Sequence, residues 1–174
     1  AAEAVGVKIV AGARVAAVTD STVGVSLGVC SIPSVGGSST YGIIPLNGNL
    51  YVAGNSAWSH EGDIPGVPAL YKYDPNLTLL WRRKATGTPG VFNAVTTLGG
   101  AIFAAGYTGT AAGTENFLVS KYAEDGTLLW SRTSGGANTY VLTGITAVGS
   151  RLFAVGYTAS SGAGSAACVS STRP

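Results

Sequence analysis

The one imidazole in this chain, His60, stands in the run Ser59-His60-Glu61-Gly62-Asp63, where it is the nearest thing to an acid–base or metal-binding group. A histidine beside two carboxylates could hold a cation or relay a proton. The spacing matches no zinc or calcium pattern, and Gly62 and Pro65 mark an ordinary loop. A serine hydrolase would need the same His60, and no G-x-S-x-G elbow carries a nucleophile. Cys30 and Cys168 have no histidine near them in sequence, so a thiolate–imidazole pair lacks support. Asp74, Glu124 and Asp125 fall where turns are expected, and Asp at a turn accepts local backbone N–H groups. No acidic ladder suited to calcium surrounds them. Gly135-Gly136 is followed by no helix whose dipole could cradle a phosphate. These residues point to no enzyme, no cofactor and no metal site.

Composition narrows the setting. Of 174 residues, 46% are hydrophobic and only 10% charged, with 26 glycines and a net charge of +2. A typical soluble domain is about 25% charged. A Ser-, Thr- and Gly-rich surface with few charges fits a secreted or cell-surface β protein. The densest basic cluster, Arg82-Arg83-Lys84, reads as a solvated strand end, so no nucleic-acid partner is expected. No apolar run reaches the ~18 residues of a membrane span, so no membrane insertion is expected. The chain opens Ala1-Ala2-Glu3-Ala4 and has no Met, the expected look of a mature product after signal cleavage. On that reading Asn76-Leu77-Thr78 is a usable glycosylation sequon at Asn76. Cys30 and Cys168 then become a candidate disulfide, within or between subunits, the other reading being two buried thiols.

The strongest signal is an internal repeat. Leu50-Tyr51-Val52-Ala53-Gly54 recurs as Ile102-Phe103-Ala104-Ala105-Gly106 and as Leu152-Phe153-Ala154-Val155-Gly156, at a period of about fifty residues. In step with it, Leu70-Tyr71-Lys72-Tyr73 recurs as Val119-Ser120-Lys121-Tyr122, and Leu79-Leu80-Trp81-Arg82-Arg83 as Leu128-Leu129-Trp130-Ser131-Arg132. Each unit reads as four short strands punctuated by Gly turns, with Asp125-Gly126 a hairpin signal because Gly accepts positive φ. No helical period with caps is present. The recurrent Trp, Tyr and Phe read as packing between units, with a sugar-stacking platform as the alternative. The expected fold is all-β: propeller-like repeats amounting to roughly three and a half four-stranded blades. The units run 1–39 (partial), 40–87, 88–136 and 137–174 (partial) within one domain.

Leu50-Tyr51-Val52-Ala53-Gly54, the run Lys121 to Arg132, Gly135-Gly136 and Phe153 to Thr158 resemble the seven-bladed β-propeller repeat called SBBP. The resemblance covers roughly residues 40 to 160 and implies an extracellular or cell-surface propeller. The same hairpin resembles quinoprotein-type propeller blades more weakly. Both imply a closed ring, and about four to eight blades are needed to close one. An open ring exposes unpaired strand edges that invite another chain. The end strands at Lys8, Ile9 and Val10 and at Cys168, Val169 and Ser170 are therefore the expected assembly edges. The expected function is that of a secreted, non-catalytic structural protein that self-assembles, as a filament or other extracellular assembly. The alternatives are a carbohydrate- or protein-binding propeller module and a fragment of a larger propeller enzyme.

Overall fold

A computed structural model of the chain describes residues 15–17, 28–30, 39–56, 66–85, 87–110, 113–159 and 170–172. Among the described residues there is no helix, and every regular element is a strand. Two short strands, β1 (Val15–Ala17) and β2 (Gly28–Cys30), pair antiparallel. A first four-stranded sheet follows in chain order: β3 (Thr40–Leu46), β4 (Asn49–Asn55), β5 (Pro68–Tyr73) and β6 (Leu79–Lys84). A second repeats it with β7 (Gly90–Leu98), β8 (Ala101–Thr108), β9 (Asn116–Tyr122) and β10 (Leu128–Ser134). The third sheet joins β11 (Tyr140–Val148), β12 (Arg151–Thr158) and β13 (Ser170–Thr172). All pairings are antiparallel between consecutive strands, and no sheet closes on itself.

One device recurs in all three sheets. The first strand bulges, leaving Tyr41, Asn93 and Thr143 without a partner on the second strand. Each bulge lies beside the pair that holds the repeated glycine: Thr40 with Gly54, Phe92 with Gly106 and Leu142 with Gly156. A bulge kinks its strand and pushes backbone toward the neighbour. A Cβ on Gly54, Gly106 or Gly156 would run into the carbonyl oxygen of Ser39, Val91 or Val141 respectively. The repeated glycine is therefore a close-approach position, which is why it keeps the repeat period.

The sheets stack face to face and meet chiefly through their first strands: β7 lies against β3, β4 and β5, and β11 against β7, β8 and β9. Side chains that alternate toward the stack form the core. Between the first and second sheets, Tyr51, Ala53 and Leu70 meet Phe92, Ile102, Leu118 and Tyr122, all fully buried. Between the second and third, Phe103 packs with Leu152, and Ala105 with Leu142 and Ala154. The repeated tryptophans belong to these layers. Trp81 meets Tyr51 edge-on at 5.8 Å, and Trp130 meets Phe103 the same way at 5.9 Å.

Candidate functional site

The two complete hairpins between third and fourth strands share one conformation, but only one acts across a sheet boundary. In each, the fifth residue's carbonyl accepts from the first residue's N–H: Thr78 from Asp74 (3.0 Å) and Thr127 from Ala123 (2.9 Å). The Asp74 carboxylate accepts from the N–H groups of Asn76 (2.9 Å) and Thr78 (2.7 Å), and that of Asp125 from Thr127 (2.8 Å). These aspartates stabilise turns, as their sequence positions suggest. Where the second hairpin has Gly126 at φ +88°, the first tolerates Leu77 at φ +64°.

Glu124 does more than shape its turn. It reaches across to the first sheet, where its carboxylate accepts from Asn47 Nδ2 at 2.8 Å and lies 3.6 Å from Lys72 Nζ. Its backbone carbonyl accepts from Tyr51 Oη and Lys72 Nζ, both at 3.4 Å. Burial raises the Tyr51 pKa, with Lys72 working against that rise. Arg83 lies over the Trp81 ring (5.4 Å) and donates from Nε to the Gly126 carbonyl at 3.2 Å. Arg83 thus joins the sheet contact, although its neighbours suggest only a solvated strand end. Tyr51, Lys72, Trp81 and Arg83 form a cradle, and the acidic hairpin of the next sheet fills it.

The second sheet carries the same cradle. Lys121 lies over Phe103 at 5.3 Å and Arg132 over Trp130 at 5.1 Å, copying Lys72 over Tyr51 (5.3 Å) and Arg83 over Trp81. Beside it, a cleft of about 320 Å³ opens between the second and third sheets. Phe117, Val119 and Trp130 form one wall, and Leu142, Ile145 and Leu152 the other. Arg132, Thr133 and Ser134 bring polar groups to it. Among the described residues, no carboxylate pairs with Lys121 or Arg132.

One size change lies beside the cleft. In the first interface Phe92 and Tyr122 stack edge-to-face, 6.4 Å apart at 86°, and fill the layer. Phe92 pairs with Gly106 just as Leu142 pairs with Gly156, and Tyr122 pairs with Ile102 just as Thr172 pairs with Leu152. The Phe92 ring is thus replaced by a leucine, and Leu142 lines the cleft. This register comparison was the signal available to find the cleft; the residue types alone do not reveal it.

Among the described residues, no sheet packs on the far face of the third sheet. Ala53 and Ala105 are fully buried by the next sheet, whereas their counterpart Val155 is 42% exposed. Tyr157 and Val148 are exposed beside it. At the other end of the stack Ile43, the counterpart of buried Val95, is 47% exposed.

The residues singled out from sequence fall unevenly. Asn76 is exposed at the tip of its hairpin. Cys30 closes β2 opposite Val15, and Ser170 opens β13 opposite Ala154. Lys8, Ile9, Val10, His60, Glu61, Asp63, Cys168 and Val169 lie outside the described residues. Among the described residues no three His, Cys, Asp or Glu side chains converge as metal ligands, and no helix is long and apolar enough to cross a membrane. No family model matches the chain, and no curated protein matches it.

Proposed function

We propose that this chain is a non-catalytic structural protein of propeller type that assembles with copies of itself. The open face of its third sheet would be covered by the first sheet of another copy. One observation carries this reading: the position buried as Ala53 and Ala105 in two successive sheets is exposed as Val155 in the third. Large apolar side chains left exposed on one sheet face, here Val155, Tyr157 and Val148, can mark an interaction surface. The opposite end offers the fitting partner, since Ile43 stands where Val95 and Ile145 stand in the sheets that do pack forward. First strands that lie against one another support the propeller reading, because blades are arranged around a common axis in that way.

The two ends differ, so the contact is head-to-tail. Such contacts give a ring when the rotation closes and a filament when it does not. A filament or similar extracellular assembly is the form we favour. Low charge supports close packing of subunits, since like-charge repulsion is small. Exposed Asn76 and the Ser-, Thr- and Gly-rich composition support a secreted or cell-surface setting. A sugar-stacking role for the repeated aromatics has less support: the Trp81 and Trp130 rings are engaged with Tyr51 and Phe103.

Light scattering and negative-stain electron microscopy test the proposal. The wild-type chain should form large assemblies. Val155→Lys should reduce them to monomers without loss of β-sheet circular dichroism. Leu129→Lys, an equally exposed change on the outermost strand, should assemble normally. A monodisperse wild-type monomer, or normal assembly of Val155→Lys, would overturn it.

A further inference from the structure

We propose that Asn47-Gly48 is a site of spontaneous deamidation, and that the reaction weakens the contact between the first and second sheets by setting a new carboxylate against Glu124. Asn47-Gly48 is the one Asn-Gly pair in the chain; every other asparagine precedes a residue with a side chain. The pair forms the two-residue turn between β3 and β4, with both residues exposed and both at positive φ, 49° and 74°. A Cβ on Gly48 would have nothing within 4 Å, so the nitrogen that attacks in this reaction is unshielded. Among the described residues its N–H makes no backbone hydrogen bond. The Asn47 carbonyl is held by an exposed bond from Asn49 Nδ2 at 3.2 Å, which must break for the Gly48 nitrogen to turn toward the Asn47 side chain.

The chemistry needs only the chain and water. The Gly48 nitrogen bonds to Asn47 Cγ, its proton going to solvent. The Cγ–Nδ2 bond breaks, and Nδ2 leaves as ammonia. Water then opens the resulting succinimide at one of its two carbonyls, giving aspartate or isoaspartate. The sum is one amide and one water giving one carboxylate and one ammonium. The partner of Asn47 makes this position consequential. Asn47 Nδ2 donates to Glu124 Oε2 at 2.8 Å, while Lys72 Nζ lies 3.6 Å from Glu124 Oε1. Deamidation replaces that donor with an acceptor of the same charge as Glu124, and one lysine then serves two carboxylates. Isoaspartate also adds a backbone atom to a turn whose flanking residues, Leu46 and Asn49, pair directly, so it disturbs the hairpin register. Glu124 belongs to the hairpin between β9 and β10, so a change at the tip of the first sheet reaches its boundary with the second. The proposal does not depend on self-assembly.

Peptide mapping by mass spectrometry, after incubation in mildly alkaline buffer, tests the site on the wild-type chain. Asn47 should react faster than every other asparagine and give both aspartate and isoaspartate. Denaturant unfolding tests the consequence, with Asn47→Asp standing in for the product. This substitution should lower the folding equilibrium constant about tenfold (~1.4 kcal/mol), the scale of a lost hydrogen bond to a charged group. In a Glu124→Gln background the new carboxylate meets an amide that donates, so Asn47→Asp should cost about threefold or less there. The mapping needs no variant, so it stands whatever the substitutions do to folding. A different asparagine reacting first, no loss of stability in Asn47→Asp, or the same loss in both backgrounds would each overturn the proposal. So would a product lighter by one ammonia with Asn47 joined to Lys72, since the lysine beside the other Glu124 oxygen would then be the nucleophile.

Discussion

Replacing Gly106 with alanine should damage this fold far more than a one-carbon change suggests. The added Cβ would collide with the Val91 carbonyl oxygen and lie 2.8 Å from Phe92 Cα and 2.9 Å from the Val91 carbonyl carbon. Comfortable carbon contacts are about 3.5–4.0 Å. The obstacle is the backbone of the paired strand, so no rotamer change can relieve it. β7 must move off β8 by roughly an ångström, at a cost in overpacking of about 1–3 kcal/mol. Weakening one or two flanking ladder hydrogen bonds adds about 1 kcal/mol each. Together these come to ~2–5 kcal/mol, a large part of the ~5–15 kcal/mol of a whole domain. Denaturant unfolding followed by tryptophan fluorescence measures this, with two controls. Gly87 has open space and no unusual φ, so Gly87→Ala should be neutral or stabilise by up to about 1 kcal/mol. Gly99 also has open space but sits at φ +60°, so Gly99→Ala should cost about 1–2 kcal/mol from conformation alone. If Gly106→Ala costs no more than Gly99→Ala, the close-approach explanation of the repeated glycine is wrong.

Two further outcomes follow from buried polar groups. Among the described residues the Tyr122 hydroxyl is buried without a hydrogen-bond partner, and burial drives its pKa far up. Ser120 works slightly against that rise, but its hydroxyl is engaged with Ser131 at 2.7 Å. Tyr122→Phe should therefore stabilise the chain by about 1 kcal/mol in denaturant unfolding, and a clear loss would refute the orphan assignment. Glu115 is partly buried, which alone would raise its pKa. The Thr139 hydroxyl (2.8 Å) and the Gly113 N–H (3.1 Å) outweigh this and hold the carboxyl below its usual value of 4.5. A pKa lower in the folded state gives stability that is present above the unfolded value and lost as pH falls through the folded one. Thr139→Val should raise the Glu115 pKa in an NMR titration and cost stability at neutral pH, with the cost shrinking in acid. An unchanged Glu115 titration in the variant would count against this account.

The repeat was legible from residues alone because every unit meets the same local problem. Gly54, Gly106 and Gly156 each lie beneath a bulge, and Trp81 and Trp130 each close a layer, so identity and spacing carried the signal. The motif Leu50 to Gly54 and its two repeats fall within β4, β8 and β12, and the paired motifs at Leu70 and Val119 and at Leu79 and Leu128 fall within β5 and β9 and within β6 and β10. Glu124 shows where this legibility stops. In sequence it is a turn residue like its neighbour Asp125, and its partners Asn47, Tyr51 and Lys72 belong to another sheet.

What the sequence determined by itself is the period, the strand type and the turn chemistry, all set by contacts among residues close along the chain. Only the tertiary structure decided which faces are covered. Val155 is like Ala53 and Ala105 in pattern but not in burial, because no sheet among the described residues packs on it. Leu142 reads as an ordinary strand residue until the register sets it against Phe92, beside a cleft. Burial and voids depend on what lies across an interface, and that depends on how separate sheets stack.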